Sequence, residues 1–233
     1  MKTSSKLLLG LLLGLVVATF GATISLRRQY DALDKSDKYG RWKKVPLAAF
    51  RAIKISGPFE RSVEIERAAT TRLLVDTLSV GTDTKAGYVA NVVNDTLLLT
   101  LKPEPQRRPS TDYEGAYRPA IRVQCPALTS LTTIDASAQL SDFAGATLTL
   151  TQLGKTGDLS LKKVQFQQLT ALLAGKNHLT IAKDGNRIEQ AAITLRDSSS
   201  LHQYNEFSKG FTLDAAPGTS LQLTGKAMAQ VRK

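Results

Sequence analysis

The sequence predicts an all-β protein: a β-solenoid of about twenty residues per coil, led by one hydrophobic N-terminal helix. Three observations carry this. From Leu128 onward the chain repeats itself loosely, with Leu140, Leu159, Leu179, Leu201 and Leu221 in similar places. Before that, apolar and polar residues alternate in short runs, as in Ser62-Val63-Glu64-Ile65-Glu66, which is the period of a strand with one buried face. And Leu7 to Leu26 contains no charged residue.

The N-terminal segment comes first. Met1 to Lys6 is a short polar start with two lysines, followed by the apolar stretch Leu7–Leu26 and a double arginine, Arg27-Arg28. At about 1.5 Å per residue, a helix of that length crosses a hydrocarbon layer of roughly 30 Å. Residues 1–28 therefore read as a membrane-targeting element. A cleavable signal peptide would be cut after Ala18, with Val16 at the −3 position. An uncleaved anchor would use the whole stretch, and the run of apolar residues past Ala18 favours it. No cysteine stands directly after the segment, so attachment through a lipobox cysteine is excluded. The count of Lys and Arg around the helix points toward a cytoplasmic C-terminal side. Export to the periplasm or cell envelope is preferred from the rest of the chain.

Residues 29–47 read as a basic polar linker. Nine Lys or Arg and three Asp lie between Arg27 and Lys54, part of a net charge of +11. Such a stretch suits anionic headgroups or acidic glycans. Tyr30, Tyr39 and Trp42 lie among the cations, but no nucleic-acid-binding module accompanies them, so no nucleic-acid partner is expected.

Residues 48–127 form a strand-rich part. Phe50 to Ile55 alternates and is broken by Ser56-Gly57-Pro58; Arg72 to Asp76 follows. Val89–Val93 and Thr96–Leu101 flank Asn94-Asp95, a pair suited to a tight hairpin, with Leu97, Leu99 and Leu101 on one face. Asn94-Asp95-Thr96 also matches a glycosylation sequon, but a turn explains it. Lys102 to Pro119 is a Pro-rich loop whose Lys102, Arg107 and Arg108 could hold an anion. Ala120–Gln124 resumes as a strand. The lone Cys125 rules out an intramolecular disulfide and reads as a buried small apolar residue.

Residues 128–233 hold the repeats. Ile134, Leu153, Leu173 and Leu195 each stand six positions before a repeat leucine. Between them lie small or polar corners, such as Gly154-Lys155-Thr156-Gly157, Ala174-Gly175-Lys176-Asn177 and Asp197-Ser198-Ser199-Ser200. A leucine-rich repeat would need an asparagine ladder, which is absent.

Phe50-x-x-Ile53-x-Ile55-Ser56-Gly57-x-Phe59, then Asn94-Asp95-Thr96-Leu97, the small-residue corners, and the closing Leu221-x-Leu223-x-Gly225 resemble the auto-transporter adhesin, head-GIN-domain family of bacterial envelope proteins, over about residues 48–227. The resemblance implies a right-handed parallel β-helix with the strand-rich N-terminal part built into the same stack. It transfers no activity and no functional residue.

The search for chemistry yields no catalytic, cofactor or metal site. His178 and His202 lie 24 residues apart and would fall on neighbouring coils, where two histidines begin a metal site only if carboxylates join them. Exposed turn histidines are the plainer reading. Asp135, Asp158, Asp184, Asp197 and Asp214 fall at different offsets from the repeat leucines and make no ladder. There is no Gly-x-Ser-x-Gly elbow, Walker loop or dinucleotide fingerprint. The function expected is a non-enzymatic, membrane-tethered envelope protein whose β-solenoid serves binding, structural or adhesive roles, with glycans or envelope proteins as candidate partners. The alternative is a β-helix enzyme acting on a carbohydrate polymer, which would pair carboxylates across a groove. A third reading is self-association through uncapped ends of the stack.

Overall fold

The computed structural model describes residues 3–32, 38–40, 42–58, 62–76, 87–102, 121–183, 185–224 and 227–228. They fall into two units, Met1–Arg41 and Trp42–Lys233.

The first unit is built on one helix, α1 (Thr3–Ala32). Its stretch Gly10–Arg28 is long and apolar enough, by length and composition, to cross a membrane. Nineteen residues rise about 28 Å, close to a bilayer's hydrocarbon thickness. Leu11, Leu13, Phe20 and Leu26 are all exposed, and among the described residues none of the stretch Gly10–Arg28 is buried. The hydroxyls of Thr19 and Thr23 donate back to the carbonyls of Val16 and Thr19, which satisfies them inside the helix. The sequence placed the apolar run at Leu7–Leu26; the helix continues past the double arginine to Ala32.

The second unit is all β. Its strands are β1 (Lys43–Pro46), β2 (Ala52–Ser56), β3 (Ser62–Arg67), β4 (Arg72–Val75), β5 (Tyr88–Val93), β6 (Thr96–Leu101) and β7 (Ile121–Cys125). Ten more follow: β8 (Ser130–Ile134), β9 (Ser137–Ser141), β10 (Ala144–Leu153), β11 (Thr156–Lys162), β12 (Gln165–Leu173), β13 (Lys176–Ile181), β14 (Arg187–Leu195), β15 (Ser200–Gln203), β16 (Gly210–Ala215) and β17 (Ser220–Leu223). Nine strands form one sheet in the order β1-β4-β7-β3-β9-β11-β13-β15-β17, and eight form a second, β16-β14-β12-β10-β8-β2-β6-β5. From β8 on, consecutive strands alternate between the two sheets.

This corrects the expected right-handed parallel β-helix. The sheets are open and mixed: β1 with β4, β4 with β7, and β5 with β6 are antiparallel. The reason is local. Asn94 and Asp95 both take positive φ, 47° and 60°, the geometry of a two-residue hairpin turn, and so tight a turn forces its strands antiparallel. A period near twenty signals parallel partners in register; it carries no information on whether sheets close or on how their far edges pair. The Pro-rich loop lies mostly outside the described residues, as do Phe59, Asp184 and Gly225.

Inward side chains of both sheets build one core. In the nine-stranded sheet Val63, Ala138, Leu159, Leu179, Leu201 and Leu221 stand in register. The alignment of Leu140 with Leu159 was displaced by two: Leu140 pairs with Leu161. In the eight-stranded sheet Leu97, Ile53, Leu131, Leu150, Ala171 and Ile193 make the matching row. The corners stack as well. Gly154 and Gly175 have φ of 96° and 90°, and a Cβ on Gly175 would lie 1.8 Å from the Gly154 carbonyl oxygen. Only a residue without a side chain fits so close to another turn.

Candidate functional site

Alternation places every second residue of the nine-stranded sheet on its outer face. There, register aligns Arg122, Glu64, Gln139, Ser160, Thr180, His202 and Gln222, one from each of seven neighbouring strands. At about 4.8 Å between strands, this polar row runs for about 29 Å. A second row, Asp158, His178, Ser200 and Ser220, lies beside it.

The structure brings the two histidines together. The ring centroids of His178 and His202 are 6.3 Å apart, and Tyr204 packs against His202 at 4.2 Å with the rings tilted by 35°. His178 is held at both nitrogens: Nδ1 is 2.6 Å from Ser200 Oγ and Nε2 is 3.0 Å from Thr180 Oγ1. Nε2 of His202 is buried and has no hydrogen-bond partner among the described residues. A metal needs free ring nitrogens and further ligands, whereas both nitrogens of His178 face hydroxyls. Among the described residues no three His, Cys, Asp or Glu are grouped to hold an ion.

The other end of the long row is a charged network that the sequence did not disclose. Arg122 pairs with Glu64 at 2.6 Å and approaches Glu66 at 3.6 Å, with all three side chains less than one-fifth exposed. Gln124 accepts a hydrogen bond from Arg72 and donates one to Glu66. The Arg122 guanidinium lies over the Trp42 ring, 5.4 Å from its centroid. Trp42, one of the aromatics in the basic stretch, is thus used within the domain. The signal available was the alternation itself, Glu64-x-Glu66 and Arg122-x-Gln124, but not which strands pair.

The aspartates are dispersed. Asp135 accepts from the Lys155 amide, across one corner to the next. Asp197 occupies a turn with φ of 51°. Asp214 pairs with Arg196, whose guanidinium bonds to it and holds its carboxyl below the usual range. Asp184, Arg107 and Arg108 lie outside the described residues. Cys125 is fully buried, and burial pushes its thiol up to about 12.

The outer face of the nine-stranded sheet is thus polar and carries the His202–Tyr204 ring pair. No family model matches the chain, so membership of the head-GIN family is not shown, and no curated protein matches it in sequence. Among solved structures it is similar to a candidate adhesin from Bacteroides fragilis at 9% identity and TM-score 0.48, over 78% of this chain and 96% of that one. A candidate lipid-binding protein from Parabacteroides distasonis gives 13% identity and TM-score 0.39, over 79% and 96%. A candidate adhesin from Parabacteroides merdae gives 10% identity and TM-score 0.36, over 79% and 95%.

Proposed function

We propose that this chain is a membrane-tethered envelope module that binds an extended, polyhydroxylated polymer without chemically altering it. In this reading residues 1–28 anchor the protein and the β domain works on the exported side; the spacer expected over residues 29–47 is shorter, since α1 runs to Ala32 and Lys43–Pro46 is strand β1 of the domain. The observation that carries it is the polar row of seven side chains, Arg122 to Gln222, on one sheet face. Rows of hydroxyl, amide and imidazole groups offer alternating donors and acceptors, which suits sugar hydroxyls. The His202–Tyr204 pair adds ring faces against which a pyranose can lie.

The test is co-sedimentation of the full chain, in detergent, with purified peptidoglycan sacculi and with capsular polysaccharide. Sedimentation that falls at least fivefold in a His202→Ala, Tyr204→Ala double variant supports the reading. No sedimentation with either polymer, or identical sedimentation of the variant, overturns it. Sidedness is tested with a cysteine introduced at exposed Lys155, because Cys125 is buried. Labelling of intact cells by a membrane-impermeant maleimide places the domain outside; labelling only after lysis overturns export.

A further inference from the structure

Away from the polar row, three successive corners of the fold and the end of β3 enclose an open cleft of about 510 Å³. Arg67, Lys163 and Arg187 line it, with Asp142 the one carboxylate among the described lining residues. The site is built by stacking. Asp142 and Lys163 hold positive φ, 63° and 55°, and Gly185 follows at 78°, so equivalent turns lie one above another. A Cβ on Gly185 would sit 3.3 Å from Lys163 Cα, so the two turns are closely stacked.

The three cations are uncommitted. No salt bridge or hydrogen bond engages the side chain of Arg67, Lys163 or Arg187 among the described residues, whereas Arg122, Arg196 and Lys209 each pair with a carboxylate. Three nearby backbone amides are spent: those of Asp142, Gln165 and Arg187 donate to the carbonyls of Lys162, Phe143 and Val164. The Val164 amide donates to Asn186. The groups that offer charge to a ligand here are the side chains of Arg67, Lys163 and Arg187. Three cations against one carboxylate select an anion, and two guanidinium forks with an ammonium suit a phosphate's three oxygens. Asp142 and Gln165 also line the cleft; the carboxylate would repel a second phosphate, and both side chains accept hydroxyl hydrogens. The volume is that of a small-ligand site.

We infer that this cleft binds a phosphorylated saccharide, with the phosphate on Arg67, Lys163 and Arg187 and sugar hydroxyls on Asp142 and Gln165. The polar row takes no part in this site, so either proposal can fail alone.

The test is calorimetric titration of the full chain in a zwitterionic detergent with glucose 6-phosphate, glucose, glycerol 3-phosphate and inorganic phosphate. Glucose 6-phosphate is expected to bind at least tenfold more tightly than the other three, and its binding to weaken as salt is raised. A Lys163→Gln, Arg187→Gln variant should lose at least tenfold in affinity. Both residues are exposed, so its melting temperature should stay unchanged. Retained affinity in that variant, or equal binding of glucose, overturns the site. Equal or tighter binding of inorganic phosphate, or of the lipid-headgroup fragment glycerol 3-phosphate, overturns the saccharide assignment.

Discussion

Gln152 lies beside Leu173 in the inward row of the eight-stranded sheet, fully buried, with Leu173 and then Leu195 continuing the row. Its Nε2 donates to the Gly157 carbonyl at 3.2 Å, while Oε1 has no partner among the described residues. The neighbour on the other side, Thr133, also buries a hydroxyl without a partner. An unsatisfied buried acceptor costs on the order of 1–3 kcal/mol. Gln152→Leu, extending the row of leucines, should therefore stabilise the domain by about 1 kcal/mol in urea denaturation. A loss of stability would mean that the hydrogen bond to Gly157 outweighs the stranded oxygen.

The stacked corners give a second expectation. Gly175→Ala would require φ near 90° of an L-residue and would press a methyl group into the Gly154 carbonyl. Strain of that kind costs at least about 2 kcal/mol. Gly210→Ala, at a position with nothing within 4 Å of the added carbon, is the control and should fall within about 0.5 kcal/mol of the parent in the same assay.

Arg122 joins β7 to β3 through two carboxylates that have little contact with water. Arg122→Met keeps the aliphatic stem beside Trp42 but leaves Glu64 and Glu66 facing each other. Removing one partner of a largely buried pair typically costs about 3–5 kcal/mol. Chemical denaturation of Arg122→Met should show a loss of that order. The triple change Arg122→Met, Glu64→Gln, Glu66→Gln should recover part of it, since no charge is then left uncompensated.

The thiol of Cys125 should stay unreactive toward maleimide at pH 8 in the folded protein and label fully in denaturant. Its pKa is raised by burial from about 9 to about 12. Below pH 9 the thiol is neutral in both states and exerts no pH effect. Between about pH 9 and 12 only the unfolded chain loses the proton, so the unfolded state gains and stability falls. Comparing Cys125→Ala with the parent isolates this: the parent should lose stability faster over that window.

Much of the β architecture was legible because burial writes itself as alternation. Leu97, Leu99 and Leu101 fall inward as their spacing requires, and Asn94-Asp95 turns the chain as Asn and Asp at positive φ do. Leu159, Leu179, Leu201 and Leu221 share one row. Two things were hidden. Leu153 and Leu173 hold equivalent places six residues before a repeat leucine, yet the long strand β10 pairs Gln152 with Leu173, and a single-residue offset moves a side chain to the other face. Sheet closure was read where open, mixed sheets occur, because pairing at the far edges depends on β1, β4 and β5, which carry no repeat. The polar row could not be found either: each member is an ordinary outward residue until register sets seven side by side. His178 and His202 were noted as possible neighbours, but the hydroxyls that occupy His178 come from Thr180 and Ser200, and their aim depends on the pleat.

The position of β2 and β3 bears on how the chain reaches this state. Each is made early, yet each ends up flanked on both sides, β2 between β6 and β8 and β3 between β7 and β9. A nascent chain leaving the ribosome exposes these ready-made strand edges and cannot complete their ladders until β8 and β9 have followed. Completing either sheet must therefore wait on the middle of the polypeptide instead of proceeding from the first strand. Trimming is unequal for the same reason: loss of β17 peels a rim, whereas loss of β2 or β3 splits a sheet.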